Sequence, residues 1–587
     1  MAGESLATRR DLGRRQGRGG ASSSSATQTP HFDINIHSRT PSDSDPGATV
    51  ERGHRPLMNP PSNTSPRAKI GPWILLLLSL FWIVAVRVPL ILNAETHLDS
   101  DLAVDGLTLR DTIAGHWRWH YPGTPYIGTL PVLFSLPQAL IWGVDSLSLV
   151  SGGTLAYAVL VVLTFLLAKR AFGPETAAWC LVPLTFASTG TLWLSGRVTG
   201  GHLTAAAWHA GAFALLHTNL SRSRLREAIA LGLWCGLGLW VDSLFLVSLA
   251  GLIPASLASW WISGRSRRGI VHGLVIVVAF LVGLLPCEIG RRVDPYDAYQ
   301  EQFRPIYQRE VLTEHARILT LDCLPRLIVG HRLFGLQADP SPSALSSSAP
   351  VESKPDLHPL AIGVTLVGLA FFVVGLVNLA LPGPGSPPIA TRAVTFGLLL
   401  SAIATLAGFV LNRNIFNSDN YRYLVGFLVP GSLGIGLTLR RLSRAGGGGR
   451  WIAGIGALAF ALLMTADTAR WYTRFGWVDD SGRPTRRALN DRALAWLNTH
   501  PEVGEFLGGY WDVYRLSFLA SHPVRGIPYP VYPNRFPGDG QREKDGHPGI
   551  VLVRPSAAEA QFFLNRALRD GGRILSRERG FLIVAWP

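Results

Sequence analysis

The sequence predicts a multi-span α-helical membrane protein carrying a small α/β domain outside the bilayer at its C-terminal end. Three observations predict it. About eleven apolar runs are long enough to cross a hydrocarbon core as helices. Basic residues gather in alternate connections between those runs. After the last run the pattern changes to short helical and strand-like segments. Composition agrees, because 48% of the 587 residues are hydrophobic and only 16% are charged. Fifty-four Lys and Arg against 39 Asp and Glu leave a net charge of +15. These arginines cluster between apolar runs, so membrane topology rather than nucleic-acid binding accounts for them. Cys180, Cys235 and Cys287 lie in apolar stretches, which excludes a disulfide framework or a zinc knuckle.

Taken in order, residues 1–70 are rich in Arg, Ser and Pro, include ASSSSATQTP and lack apolar periodicity, which predicts a disordered cytoplasmic tail. The pair Arg9-Arg10 stands too far from the first apolar run to be a twin-arginine export signal. That run, WILLLLSLFWIVAVRVPLILN at 73–93, is the first span. Further spans are expected near 152–168, 175–195, 203–219, 227–241, 243–262, 270–288, 359–380, 393–411, 421–439 and 451–467. Lys169-Arg170, the clusters Arg222/Arg224/Arg226 and Arg265/Arg267/Arg268, then Arg392, then Arg440/Arg441/Arg444/Arg450 all fall on one side by this count, which makes that side cytoplasmic. Counting the apolar stretch 129–149 as a span would put every later basic cluster on the wrong side. It is read instead as a helix in the outer interface or as a re-entrant segment.

This divides the chain into the tail, a membrane domain over 71–467 with outer loops 94–150 and 289–358, and an extracytoplasmic α/β domain over 468–587. Within the second loop, SPSALSSSAPVESKP reads as mobile and DPYDAYQEQFRPIYQREVLTEHARIL as helical. The C-terminal part alternates helical runs (TRRALNDRALAWLNTH, AAEAQFFLNRAL) with apolar strands (GIVLVR, FLIVAW). AGGGGR at 445–450 is a flexible cytoplasmic turn.

The first outer loop, AETHLDSDLAVDGLTLRDTIAGHWRWHYPGTPYIGTL, sets five acids against two arginines. Asp101 and Asp105 share one helix face and Leu102, Leu109 and Ile113 another, so the spacing predicts an amphipathic helix resting on the membrane with Asp99 as its N-cap. Its carboxylates could deprotonate an acceptor hydroxyl, coordinate a metal, or simply form the solvated face of that helix. Asp242, at an outer span boundary in GLGLWVDSLFL, is either a functional acid or a snorkelling interfacial one. Arg87, late in the first span, is a weaker candidate for a phosphate ligand than for a residue that snorkels. Trp511 and Tyr514 in GYWDVYRLSFLASHPVRG fill a small core or stack on a sugar. No phosphate loop, HExxH or GxSxG occurs, so ATPase, zincin and serine-hydrolase readings have no support.

Asp99-Ser100-Asp101, Ala103, Gly106-Leu107 and Tyr126-Ile127-Gly128-Thr129-Leu130 together are similar to the pattern SDEAxxGL…YxGSLE of a bacterial subgroup of the membrane-integral GT-C glycosyltransferases. That superfamily includes the protein O-mannosyltransferases and the lipid A aminoarabinose transferase. Leu102 and Pro131 stand where the subgroup carries glutamates. The resemblance implies that Asp101 is the general base, with Asp99 its rival, and that Tyr126 belongs to the substrate-binding loop. SGRVTGGH at 195–202 resembles a substrate-binding outer turn, which implies roles for Arg197 and His202 on a phosphate or sugar. Tyr421-Arg422-Tyr423-Leu424 resembles the RYL element that opens a span from the outer side, which implies that Arg422 is the phosphate ligand and Tyr421 its neighbour in the site; the residues alone also fit an interfacial Arg-Tyr anchor that sets helix depth.

The resemblance and the topology imply a polyprenyl-phosphate sugar as donor, delivered at the outer face of a bacterial inner membrane, and transfer to an acceptor hydroxyl with inversion. Which glycan, lipid or protein accepts the sugar is open, no nucleic acid is involved, and no cofactor is expected. A divalent metal at Asp99 and Asp101 is compatible but not required. The rival readings are a lipid or solute transporter, which should show repeated halves and midplane charge, an O-antigen ligase or polymerase, and a catalytically inactive membrane scaffold.

Overall fold

The first apolar run folds as α1 (Pro66–Leu92), whose 27 residues make a helix about 40 Å long, enough to cross a bilayer. A computed structural model of the chain describes residues 66–264, 266–293, 305–331, 358–381, 387–415, 417–487, 489, 491–528, 535–536, 549–553, 558–578 and 581–586. The tail expected over most of 1–70 and the low-complexity piece SPSALSSSAPVESKP lie outside these residues. After α1 come α2 (Ala94–His97), α3 (Ser100–Ile113), α4 (Leu136–Trp142), α5 (Ser146–Ala171), α6 (Pro174–Thr185), α7 (Thr189–Leu194), α8 (Leu203–Arg222), α9 (Leu225–Val241), α10 (Leu246–Ile262) and α11 (Arg267–Val293). Then follow α12 (Arg309–Ile318), α13 (Leu324–Val329), α14 (Pro359–Ala380), α15 (Ile389–Leu411), α16 (Leu428–Arg444) and α17 (Gly449–Phe475).

Among the described residues, eight helices are long and apolar enough to cross a membrane, and the chain is a multi-pass membrane protein. They are α1, α5, α10 with its lead-in from Ser243, α11, α14, α15, α16 with its 3₁₀ lead-in from Ser418, and α17. The other three predicted spans correspond to shorter or less apolar helices. The segment 175–195 is two pieces: α6, with Pro183 near its end, stops at Phe186, and Ser188 caps a separate α7 by accepting from the Thr191 amide. α8 and α9 cover the other two. The stretch 129–149 does not span. It is a 3₁₀ turn at Leu130–Ser135 followed by the two-turn α4, which leaves Leu140, Ile141 and Trp142 exposed.

Glycines let the long helices touch backbone to backbone. A Cβ on Gly251 of α10 would lie 2.0 Å from the Gly397 carbonyl oxygen of α15, and one on Gly434 of α16 would lie 2.3 Å from the Gly375 carbonyl of α14. Close backbone approach of this kind is how helices gain packing energy where lipid is as apolar as the side chains.

Past α17 lies the predicted α/β part. It comprises α18 (Arg492–Thr499), α19 (Tyr510–Leu519), α20 (Ala558–Arg569) and a sheet of β3 (Glu505–Gly508), β4 (Arg525–Pro528), β5 (Ile550–Val553), β6 (Arg573–Glu578) and β7 (Phe581–Ala585). The order is β4-β3-β5-β7-β6, with β3 parallel to β4 and β5, and β7 antiparallel to β5 and β6. In the first loop, β1 (His120–Tyr121) and β2 (Thr124–Gly128) form a small hairpin. α17 runs on to Phe475, past the expected end of the last span, and hands the chain directly to this layer.

One expectation is corrected here. α3 does not rest on the membrane: Ser100, Leu102, Ala103, Val104, Asp105, Gly106, Thr108 and Leu109 are buried, because α19 packs over the helix. The Ser100 hydroxyl donates to the Tyr510 carbonyl at 2.6 Å, and Arg110 donates to the Phe518 carbonyl at 3.0 Å. Leu102 and Pro131, which stand where the subgroup pattern has acids, are both buried in this packing. Gly106 marks the tightest point, since a Cβ there would sit 2.2 Å from the Phe518 ring. Overpacking at such a point costs about 1–3 kcal/mol. Gly106→Ala is therefore expected to lower the melting temperature of the purified protein, and adding Phe518→Leu should restore most of the loss. Equal melting of G106A and the native chain would mean that α19 does not seat on α3.

Candidate active site

Four separate stretches meet at the N-terminal half of α3. Asp99 is the N-cap that was expected, its Oδ1 accepting from the Leu102 amide at 3.0 Å. Its Oδ2 accepts from Arg197 Nη2 at 2.6 Å, so the cap is also an ion pair with the turn before α8. Asp101, two residues on, has its Oδ1 saturated by the Tyr510 hydroxyl at 2.5 Å and Arg535 Nη2 at 3.1 Å. Its Oδ2 faces Arg422 Nη1 at 4.0 Å. The Tyr121 hydroxyl donates to the Asp101 carbonyl oxygen at 2.7 Å, which ties the hairpin to the same spot.

Burial alone would raise the Asp101 carboxyl, but the charges of Arg535 and Arg422, the Tyr510 hydroxyl and the charge of Arg197 outweigh it and hold the group below the usual carboxylate range. Asp101 is therefore a carboxylate at neutral pH, with one oxygen committed and the other turned toward a guanidinium. Burial is likewise the largest influence on Arg197 and opposes its charge, yet the Asp99 pairing keeps that guanidinium above its ordinary value.

The arginines have spare donors. Arg197 Nε and Arg422 Nε are buried without a hydrogen-bond partner among the described residues. Both guanidinium groups converge on Gly200, where an added Cβ would lie 3.8 Å from Nη1 of each. Two guanidinium groups facing one glycine, each with an unpaired donor, make a place for an anion. Tyr423 flanks Arg422, whose guanidinium lies 5.4 Å from its ring centre, and the His202 ring is 5.5 Å from the same tyrosine.

His202 and Asp242, read separately from sequence, are partners, with His202 Nδ1 2.6 Å from Asp242 Oδ2. Asp242 Oδ1 accepts from the Leu244 amide, and its backbone bridges to Ile127 of the hairpin. Asp242 is thus a buried helix-end residue rather than a snorkelling one. His202 adopts a positive φ of 50°, so the turn holds it in a left-handed conformation that a non-glycine residue keeps only when its surroundings impose it. Tyr126 lies among these groups: burial raises its phenol most, Tyr423 and Asp242 add to that, and Arg535 and Arg422 pull the other way.

Two expected residues are placed elsewhere. Tyr421 is buried, its hydroxyl donating to the Gly190 carbonyl at 3.1 Å and its ring lying under Arg326 at 4.5 Å. It braces α7 and α13 against the 3₁₀ turn instead of entering the cluster, because that turn points neighbouring residues in different directions. Arg87 does not snorkel. It is fully buried, donates to Ser195 Oγ at 2.6 Å and to the Ile83 carbonyl at 2.9 Å, and lies over the Tyr157 ring. Tyr514 belongs to the core of the C-terminal layer, its hydroxyl accepting from the Arg535 amide.

Sequence reasoning missed Tyr510 and Arg535, which sit more than four hundred residues from their partner. It also missed Arg326, paired with Asp419 at 2.7 Å beside the Arg422 turn. Tyr510, the residue immediately before the singled-out Trp511, was within reach of inspection. A lone arginine between prolines was not. Among the described residues no group of three His, Cys, Asp or Glu side chains gathers to hold a metal ion, and Asp99 and Asp101 face arginines.

A membrane helix bundle with an acid-and-arginine cluster at one end, roofed by a small α/β layer, is the GT-C fold that the sequence resemblance implied. No protein-family model matches the chain and no curated protein matches its sequence. Solved structures do match. ArnT from Cupriavidus metallidurans in the apo state aligns over 89% of this chain and 98% of its own at 14% identity, with a TM-score of 0.53. The same protein bound to undecaprenyl phosphate aligns over 88% and 98% at 14% identity, with a TM-score of 0.54. The apo oligosaccharyltransferase of Archaeoglobus fulgidus aligns over 84% of this chain and 70% of its own at 14% identity, with a TM-score of 0.50. At these identities the likeness establishes the fold.

The third acid of α3 behaves differently from the first two. Asp105 is buried and, among the described residues, its carboxyl hydrogen-bonds to Thr199: Thr199 Oγ1 lies 2.5 Å from Oδ1 and the Thr199 amide donates to Oδ2 at 3.3 Å. Burial, with the charges of Asp101 and Asp99, pushes its carboxyl up to about 8 although the Thr199 bonds act the other way. A folded-state value above the ordinary ~3.9 means stability is full below about pH 4 and is lost as pH rises toward the folded value. Asp105→Asn stays neutral and lacks that slope. Its melting temperature is expected to gain on the native chain between about pH 4 and about pH 8 and then hold a constant lead. A lead that does not change with pH would show Asp105 to be ionised throughout.

Proposed function

We propose that this protein transfers a sugar from a polyprenyl-phosphate donor to an acceptor hydroxyl at the outer face of a bacterial inner membrane, with Asp101 as general base. The observation that carries the reading is a charged, half-committed carboxylate facing Arg422, which converges with Arg197 on Gly200, both arginines having an Nε donor without a partner among the described residues. Inverting transfer needs a base for the acceptor and an anion clamp for the leaving phosphate, and the reading assigns the first to Asp101 and the second to Arg422 and Arg197. ArnT, whose fold this chain shares, has been crystallised with undecaprenyl phosphate.

In this reading the lipid phosphate docks against Arg422 and Arg197 beside Gly200, where a side chain would block it. The acceptor oxygen attacks the anomeric carbon, the carbon–oxygen bond to phosphate breaks, and its electron pair leaves with the polyprenyl phosphate. The acceptor proton passes to Asp101 Oδ2, because Tyr510 and Arg535 occupy Oδ1. Asp99 holds Arg197 in place. The His202–Asp242 pair and Tyr126 line the flank and position substrate. Tyr421 is left out of the binding set. The basic clusters at the far end of the bundle favour a cytoplasmic N-terminus and an extracytoplasmic C-terminus. The reading requires no metal and leaves the acceptor's identity open.

Asp101→Asn and Arg422→Ala are each expected to lower sugar transfer by about 10²-fold or more while the folded level holds. The assay is mass spectrometry of polyprenyl-linked sugars and surface glycans in cells with and without each variant. Full activity of D101N would favour a transporter or an inactive scaffold. Tyr510→Phe should leave measurable transfer but move the acidic limb of the pH–rate profile upward, because loss of the phenol donor raises the carboxyl it lowered. An unmoved limb in Y510F would remove Asp101 from the role of base.

A further inference from the structure

At the end of the bundle remote from Asp101, the elbow between α16 and α17 faces the start of α6 across an open groove of about 690 Å³, lined by Glu175, Trp179, Ser443, Arg444 and Arg450 among others. Arg444 and Arg450 line it against one carboxylate, Glu175, and Arg440 and Arg441 sit on the same helix end. The last two are turned into the fold. Arg440 donates to the Phe172 carbonyl at 2.8 Å and to Thr176 Oγ1 at 3.1 Å, and Arg441 donates to Asn378 Oδ1 at 2.6 Å and to the Leu381 carbonyl at 2.8 Å. Glu175 accepts from Arg444 Nε at 2.7 Å and from the Ser443 hydroxyl at 3.0 Å. Arg450 is exposed and, among the described residues, has no hydrogen bond or ion pair. The turn that brings it to the groove is built on Gly446 and Gly447, both at positive φ.

A stripe of large apolar side chains runs along α17 from Trp451, the residue after Arg450. Trp451, Ile455, Leu458 and Leu462, spaced at helical repeat on one face, are 75%, 64%, 59% and 61% exposed, with Ile452 beside them. Excess positive charge at the level where helices end, continuous with an apolar stripe running toward the middle of the bundle, matches the two halves of one molecule.

We propose that this groove binds an anionic phospholipid of the leaflet remote from the active-site end, its headgroup phosphate held by Arg450 with Arg444 and its acyl chains laid along the Trp451–Leu462 stripe. A phosphate in reach of two guanidinium groups is clamped in a fork geometry that a zwitterionic headgroup satisfies less well, because its own cation meets the same arginines. The site is separate from the sugar-transfer machinery and does not depend on it.

The test is native mass spectrometry of the full-length protein released from nanodiscs of phosphatidylglycerol mixed with phosphatidylcholine. The native chain should retain phosphatidylglycerol in preference to phosphatidylcholine. Arg450→Gln should cut that retention about fivefold, the amount one basic side chain contributes near a charged surface, with no change in melting temperature. Trp451→Ser should weaken it as well. Arg267→Gln, at the same end of the bundle on α11, should leave it intact. Equal retention of the two lipids overturns the proposal, as does equal loss in R450Q and R267Q. Displacement of the lipid by inorganic phosphate at equal concentration also overturns it, since the stripe would then contribute nothing.

Discussion

A carboxylate taken out of water must be paired, or it gives up its charge, and the outer end of this protein is organised by that constraint. The N-terminal half of α3 is sealed between the bundle and α19, so Asp99, Asp101 and Asp105 are withdrawn from solvent together. Each meets the demand differently. Asp99 takes a helix cap and Arg197, Asp101 takes a tyrosine and two arginines from three parts of the chain, and Asp105 retreats to a neutral form against Thr199. Because the compensating groups come from different elements, burying one helix fixes the relative positions of the α7–α8 turn, the 3₁₀ turn before α16 and the C-terminal layer.

Buried ion pairs of this kind are weak evidence for stability, since their attraction is largely offset by lost hydration. Their value lies in position. The neutral Asp105 lets α3 dock tightly on the 195–202 turn without adding a third negative charge beside Asp101. Arg422 and Arg197, which face Asp101 and Asp99, each keep a donor without a partner among the described residues, so the cluster is balanced internally and still open to an anion. An environment that keeps one acid charged and its neighbour four residues away neutral is the kind of asymmetry acid–base chemistry uses.

Much of the fold was legible in the sequence because the bilayer sets a length and a polarity that each span must meet by itself. α1, α5, α10, α11, α14, α15, α16 and α17 needed no knowledge of their neighbours. The segment 175–195 misled because a run of apolar residues does not reveal where Pro183 and the Ser188 cap divide it. The amphipathic reading of α3 correctly found a helix with an Asp99 cap, yet its polar face meets protein instead of water, and periodicity cannot tell one covering from another. In the candidate site, Asp99, Asp101, Arg197, His202, Asp242 and Arg422 were each visible as an ionisable group at a span end. That His202 and Asp242 bind each other, and that Tyr421 turns into the core while Arg422 turns out of it, followed from a 3₁₀ turn and a left-handed residue that carry no sequence periodicity.

The sequence by itself determined the number of long membrane helices to within the short ones, the end of the bundle where acids collect, and the chemical type of the groups there, because hydrophobic length and charge placement are local properties. Only the tertiary structure decided which carboxylate is charged, which arginines face it and which residues close the roof. Tyr510 and Arg535 reach Asp101 across more than four hundred residues, and electrostatic influence depends on distance and burial, neither of which is written along the chain.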